Sequence, residues 1–192
     1  MRPAAHACIA ALLFTAGATL PGCASEPQRA PAEVLDEQTG ATLVVVAEPL
    51  VFARARLDVA ANARDYLTLV AVEANRSGKY AQYLLVHRWS TVDRRMAALP
   101  GPDAGRLIIV ADGRELEFKP LQPMPAALVR HDRVHYPADT DAVSWAYEVD
   151  LATLGYLAGS QQIGVRLPDD PLDSPFTLWS DGRAALRVFA TR

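Results

Sequence analysis

The sequence predicts a mainly β fold, either a β-sandwich or a curved antiparallel sheet, with two or three short helices. A dense β-branched run covers Thr42–Ala47. The pair Asp112-Gly113, typical of a type I′ hairpin turn, separates two β-prone runs. Apolar and polar side chains alternate over Val143–Val149, which is the period of a half-buried strand. An α+β arrangement is the alternative.

The centre of the fold is predicted to be a hairpin of two long strands. Tyr66–Ala74 is apolar on both faces, as expected of a strand that is covered on both sides. Asn75–Lys79 has the composition of a turn, and Tyr80–Trp89 is the returning strand. Leu69 should therefore lie in the core. The remaining strands are predicted at Val51–Val59 after Pro49, Leu107–Ala111, Arg114–Phe118, Gln162–Leu167 and Phe176–Trp179.

Two short helices are predicted near the C-terminus. Leu151–Ala158 places its leucines on one face, with Asp150 as the N-cap. Arg183–Ala190 is preceded by two candidate caps, Ser180 and Asp181.

A third helix is predicted over Ser90–Leu99, where Ser90 and Asp93 have the spacing of a capping box. Farther along the chain, Asp169-Asp170 stands between two prolines, which predicts a solvated loop.

The N-terminus carries a short apolar segment that follows Arg2. Ala7–Leu20 is 14 residues long. That length suits the apolar core of a signal peptide, about 7–15 residues, and is below the roughly 18–20 needed to span a bilayer. The segment ends in Leu20-Pro21-Gly22-Cys23, which resembles the lipobox of bacterial lipoproteins.

This resemblance implies a lipid anchor at Cys23. In that class the cysteine thiol takes a diacylglycerol, cleavage falls just before the cysteine, and the new amine is acylated. Ala24, a residue other than Asp, implies sorting to the outer membrane, with the domain facing the periplasm. The expected organisation is a signal peptide (1–22), a lipidated cysteine with a flexible tether (23–33) and a single β-rich domain (34–192). Cys8 would be discarded, so the mature domain would have no cysteine for disulfides or thiolate catalysis.

No catalytic residue and no cofactor are predicted. The formal net charge of −3 gives no reason to expect nucleic acid as a partner. The chain has no Gly-x-Ser-x-Gly elbow and no phosphate-binding glycine motif. His87, Ser90 and Asp93 lie within seven residues, which we interpret as a strand end followed by a cap.

A metal site is not predicted, but one candidate set remains open. His131 and His135 are four residues apart, and Asp132 could add an oxygen ligand. The segment lies between Pro125 and Pro137, so a long helix that would align the two histidines is not expected.

The leading hypothesis is a membrane-anchored periplasmic lipoprotein with a non-enzymatic binding or accessory role, whose partner is another envelope protein. Two alternatives are a periplasmic metal-dependent hydrolase that uses His131 and His135, and a sandwich that binds a glycan or small ligand. The glycan alternative depends on aromatic residues that fall mostly on predicted strands: Tyr66, Tyr80, Tyr83, Trp89, Trp145, Tyr147, Tyr156 and Trp179.

Overall fold

The computed structural model describes residues 30–92, 105–129, 135, 137, 142–170, 172 and 174–192. In this part of the chain, ten strands form one antiparallel sheet, which confirms the predicted mainly β class. The strands are β1 (Ala32–Asp36), β2 (Ala41–Val45), β3 (Leu50–Ala55), β4 (Arg64–Arg76), β5 (Lys79–Ser90), β6 (Leu107–Ala111), β7 (Arg114–Phe118), β8 (Val143–Glu148), β9 (Ile163–Arg166) and β10 (Phe176–Ser180). The helices are α1 (Leu151–Gly159) and α2 (Arg183–Ala190), and a single 3₁₀ turn covers Ala126–Leu128.

The β4–β5 hairpin is the centre of the sheet, as predicted. Its two-residue turn, Ser77-Gly78, has φ angles of 52° and 81°. These positive values are those of a type I′ turn, which matches the right-handed twist of the flanking strands. Leu69 and Val70 point to opposite faces and are exposed by only 2% and 0%. The strand is therefore covered on both sides.

β4 is paired with other strands along both of its edges. β5 pairs with it along its whole length, from Asp65↔Ser90 to Arg76↔Lys79. The other edge is shared, because β2 pairs with the C-terminal part of β4 and β3 with the N-terminal part. Pro49 separates β2 from β3, since proline cannot donate to the ladder and bends the chain.

The sheet is strongly curved and open. From β3 the path continues through β10, β9 and β6 to β7, while β8 lies beyond β5 on the other side. The outer strands β7 and β8 approach each other: the ring of Phe118 on β7 meets that of Tyr147 on β8 at 6.4 Å. The N–H of Leu121 also donates to the carbonyl of Ala146 at 2.8 Å. The curvature encloses the apolar core, but the sheet is not closed into a barrel.

The two helices pack against each other at one end of this curved sheet. Asp150 caps α1 as predicted, since its carboxylate accepts from the N–H of Thr153 at 2.6 Å. Asp181 accepts from the N–H of Arg183 at 3.0 Å, although the N-cap position itself is Gly182. The hydroxyl of Tyr156 on α1 donates to the carbonyl of Ala111 on β6 at 2.7 Å, which joins helix and sheet.

Three boundaries differ from the predictions. β1 begins at Ala32, so the last two residues of the predicted 23–33 tether belong to the sheet. β3 ends at Ala55 rather than Val59. The predicted third helix cannot begin at Ser90, because Ser90 pairs with Asp65 as the last residue of β5. Residues 93–99 of that prediction lie outside the described residues. None of the described helices combines the length and the apolar character needed to cross a bilayer.

Candidate binding surface

Four charged side chains form a buried network at the end of the core opposite the helices. Arg54 on β3 lies directly opposite Asp65 on β4, and their side chains meet at 3.0 Å. The same guanidinium contacts Asp170 at 2.8 Å, and Arg88 on β5 contacts Asp170 at 3.2 Å. All four residues are buried. The prediction of a solvated loop at Asp169-Asp170 is therefore wrong for Asp170, whose carboxylate is buried and contacts two arginines.

The network balances the cost of burying charge. Burial lowers the pKa of Arg88, and the carboxylates of Asp170 and Asp65 oppose that shift. Arg54 also donates to the carbonyl of Leu172 at 2.8 Å and lies 4.3 Å above the ring of Phe176. Both carboxylates are held by arginines and are excluded from solvent. Such a cluster fixes strand positions, because breaking any pair leaves an uncompensated buried charge.

An aromatic cluster lies on the reverse side of the same strand ends. Successive side chains of a strand point to opposite faces. Tyr66 and Trp89 therefore lie on the other face of the sheet from their neighbours Asp65 and Arg88. Tyr66 and Trp89 are directly paired, and their rings stack at 4.2 Å with an interplanar angle of 12°. We define the aromatic cluster as Arg64, Tyr66, Trp89 and Trp179.

Trp179 extends this cluster towards solvent. Its ring meets Tyr66 edge to face at 6.1 Å, and the guanidinium of Arg64 lies 5.1 Å over it. Although it makes these contacts, Trp179 remains 59% exposed. A large aromatic ring held in place and still open to water is typical of a protein interface.

Exposed aliphatic residues surround this end of the sheet. Leu57 is 77% exposed and Val59 is 51% exposed, both in the loop between β3 and β4. Val92 is the second residue after β5 and is 43% exposed. They lie at one end of the sheet because Ala55 pairs with Arg64 and the N–H of Thr91 donates to the carbonyl of Arg64. The aromatic end is the aromatic cluster together with Leu57, Val59 and Val92.

A polar row lies next to the aromatic rings on the same face. Thr68, His87 and Ser144 are directly opposite one another on β4, β5 and β8. Nδ1 of His87 is 2.7 Å from Oγ of Ser144, and the indole N–H of Trp89 donates to the Thr68 hydroxyl at 3.1 Å. A serine nucleophile needs backbone donors that converge as an oxyanion hole. Both residues lie within the paired register of β5 and β8, so we interpret this Ser–His contact as a cross-strand pair.

Most of the residues singled out for lipidation or metal binding lie outside the described residues. Cys23, His131 and Asp132 are among them. His135 is described, and its Nε2 lies 2.8 Å from the carbonyl oxygen of Val46. That nitrogen must carry the proton, so only Nδ1 of His135 could serve as a metal ligand. The described residues contain no group of three or more His, Cys, Asp or Glu side chains arranged to hold a metal.

The buried network was not recognised as a site from the sequence. Tyr66, Trp89 and Trp179 were named only among the eight aromatic residues of the glycan alternative, without the contacts that bring them together. One signal for the network was present, because Arg54 alternates with Leu50 and Phe52 and therefore points to the core face. An arginine at such a position requires a buried acidic partner. Which acid supplies it depends on contacts between distant segments, as does the position of Trp179.

Comparisons of the chain with protein-family models, with curated proteins and with solved structures found no match.

Proposed function

We propose that this chain is a lipid-anchored lipoprotein of the bacterial envelope whose folded domain binds another envelope protein through the aromatic end. The single observation that supports the binding role is the exposed and ordered aromatic cluster, in which Trp179 is 59% exposed. The domain acts in this proposal as a non-enzymatic accessory module. It faces the periplasm from the outer membrane.

A protein partner is favoured by the residue types at this surface. Trp, Tyr and Arg contribute most of the binding free energy at protein interfaces, and such residues are typically surrounded by less important contacts that exclude water. Trp179, Tyr66 and Arg64 would form the centre of the interface, and Leu57, Val59 and Val92 its surroundings. A glycan site would more often be a concave pocket. The ring of Trp179 is instead 59% exposed.

The buried network supports the same role by keeping this surface rigid. Asp65 and Arg88 are the sequence neighbours of Tyr66 and Trp89, and their ion pairs hold the backbone of β4 and β5 at this point. Side chains that are already ordered lose less conformational entropy on binding. The stacked rings would therefore meet a partner without rearrangement.

The anchored state is supported by the lipobox-like residues that end in Cys23. Residues 24–31 separate that cysteine from β1, which begins at Ala32. Fully extended, eight residues reach at most about 26–29 Å. A domain on such a tether stays close to the membrane but can turn its aromatic end towards a neighbouring protein.

Photo-cross-linking in intact cells tests the proposed interface. A photoreactive phenylalanine analogue replaces Trp179 in one strain and Leu57 in another. We expect both positions to give the same discrete adduct, identified as one envelope protein by mass spectrometry. The control position is Val188, which is also exposed (41%) but lies on α2 outside the aromatic end; the second residue after this helix, Arg192, pairs with Glu73 towards the turn of the β4–β5 hairpin. Absence of an adduct at both test positions, or an equal adduct at position 188, would contradict the proposal.

A further inference from the structure

A second candidate site lies on the face of the aromatic cluster, but at the turn end of the β4–β5 hairpin. It is a groove of about 280 Å³. Three alanines from adjacent strands form its floor, namely Ala41, Ala74 and Ala81. The segment 125–127 provides another wall, and Tyr83 lies at the inner end. Because alanine side chains are short, a ligand in this groove can lie close to the sheet.

Two cationic side chains lie at the mouth of this groove. Arg76 and Lys79 are directly opposite each other across the hairpin and both line the groove. Like charges in directly opposed positions destabilise a strand pair. Within the described part of the chain, neither residue takes part in an ion pair. An anion between them would relieve this repulsion.

Two acidic residues near the groove, Asp36 and Glu73, are engaged in other contacts. Asp36 on β1 lies opposite Ala41 on β2. Its carboxylate accepts from the hydroxyl of Thr39 and from the N–H of Gln38. Glu73 points to the other face of β4, where it pairs with Arg192 at 2.9 Å. These two carboxylates therefore do not neutralise the cation pair at the groove mouth.

We propose that the groove binds a single-chain anionic amphiphile, namely a free long-chain carboxylate. Its carboxylate lies between Arg76 and Lys79, and its acyl chain lies along the alanine floor towards Tyr83. The volume is close to the lower end of ligand pockets, which hold roughly 300–1,000 Å³, so the groove encloses only part of the chain.

The floor argues for an acyl chain rather than a peptide. The backbone groups of Ala74 and Ala81 belong to the continuous β4–β5 pairing, so they are committed within the sheet. A peptide that enters an apolar groove must find partners for its own N–H and C=O groups, because unpaired polar groups are costly to bury. An acyl chain has no such requirement, and the two cations satisfy its single charged end.

This site goes beyond the proposed partner surface and is separate from it. Tyr66 and Arg76 are ten positions apart on β4, which corresponds to about 33 Å along the strand. Substitutions at one site should therefore leave the other unchanged, and each proposal can fail without the other.

Fluorescence titration tests the groove directly. The protein is the purified full-length chain with Cys23→Ser, so that it carries no acyl group of its own, and the probe is a dansyl-labelled undecanoate. We expect saturable enhancement of dansyl fluorescence. Dodecanoate, used below its critical micelle concentration, should displace the probe at least about tenfold more effectively than dodecanol, since only the carboxylate forms charge-assisted hydrogen bonds. Absence of saturable binding, or equal displacement by the alcohol, would overturn the proposal.

Variants locate the bound probe. Arg76→Glu combined with Lys79→Glu should weaken binding at least about tenfold, and Ala81→Trp should abolish it by filling the groove. The matched control is Arg114→Glu, at the corresponding position of the other type I′ hairpin, where Arg114 faces Ala111 instead of a second cation. Thermal melts verify that each variant is folded. If Arg114→Glu weakens binding as much as the double variant, or if neither groove variant has an effect, the assignment is wrong.

Vesicle sedimentation distinguishes binding of a free carboxylate from binding to a membrane surface. Anionic phospholipid vesicles are sedimented with the same protein and with the Arg76→Glu, Lys79→Glu variant. We expect no difference in sedimentation between the two proteins. If the vesicles bind through Arg76 and Lys79 while dodecanoate does not displace the probe, the cation pair is a membrane-contact surface and the amphiphile proposal is overturned.

Discussion

Arg54 and Asp170 are 116 residues apart in the sequence and meet at 2.8 Å inside the protein, with their side chains almost completely excluded from solvent. The contact ties the segment after β9 to the centre of the sheet. Arg88 binds the same carboxylate. Removal of the Asp170 charge would therefore leave two buried arginines, with Asp65 as the remaining buried acid of the network.

We therefore expect Asp170→Asn to reduce the free energy of unfolding by about 3–5 kcal/mol, the range for breaking a buried ion pair. The matched control is Glu115→Gln, which breaks the exposed pair with Arg166 and should cost at most about 1 kcal/mol. Urea unfolding measures both variants. A loss below about 1 kcal/mol for Asp170→Asn would show that the network does not hold the core together.

The central hairpin gives a second stability prediction. Leu69 is 2% exposed, so Leu69→Ala should cost about 2–5 kcal/mol, as truncations of buried leucines do. Leu57 is 77% exposed, and the same change there should stay within about 0.5 kcal/mol. Thermal or urea unfolding compares the two. Equal effects would mean that β4 is not the covered strand described above.

The N-cap of α1 predicts a pH dependence. The hydrogen bond from Thr153 lowers the pKa of Asp150 below its ordinary value of 3.8. The folded protein therefore favours the carboxylate, and this contribution to stability is complete above the ordinary pKa and is lost as the pH falls through the lowered one. Asp150→Asn keeps a capping oxygen but does not titrate. Relative to this variant, the Tm of the wild type should fall as the pH is lowered from about 5 to below the ordinary pKa of 3.8. A difference that is independent of pH would contradict this.

The anchor is tested at Cys23. Cys23→Ser removes the thiol that would take the diacylglycerol, so the protein should leave the outer-membrane fraction, either released or held unprocessed at the inner membrane. Cell fractionation with immunoblotting measures this. Cys8→Ser is the matched control, because Cys8 lies in the segment that would be discarded, and it should fractionate like the wild type. If Cys23→Ser also fractionates like the wild type, the lipoprotein proposal fails.

Local features of this fold could be predicted from the sequence. Asp112-Gly113 forms the predicted type I′ turn, with φ angles of 47° and 81°, and Asp150 caps α1. Both depend on residues within a few positions of each other. The alternation of Leu67, Leu69 and Ala71 with their neighbours likewise predicted a strand buried on both faces.

The site could not be predicted in the same way, because it depends on distant partners. Asp170 looked like part of a solvated loop because its arginine partners come from β3 and β5. Tyr66 and Trp89 were placed on the correct strands, but their stacking requires the register of the hairpin. Trp179 joins them only after the sheet has curved through β10.

The central claim is that the aromatic end binds a protein partner. The most direct measurement is the photo-cross-linking yield from position 57 in cells that also carry Trp179→Ala. If Trp179 is a main contributor, at least about 2 kcal/mol of binding free energy is lost and the yield at limiting partner concentration falls more than tenfold. Val188→Ala, which removes a similarly exposed side chain from α2, should leave the yield unchanged. An unchanged yield with Trp179→Ala, in a variant shown to be folded by its thermal melt, would contradict the claim.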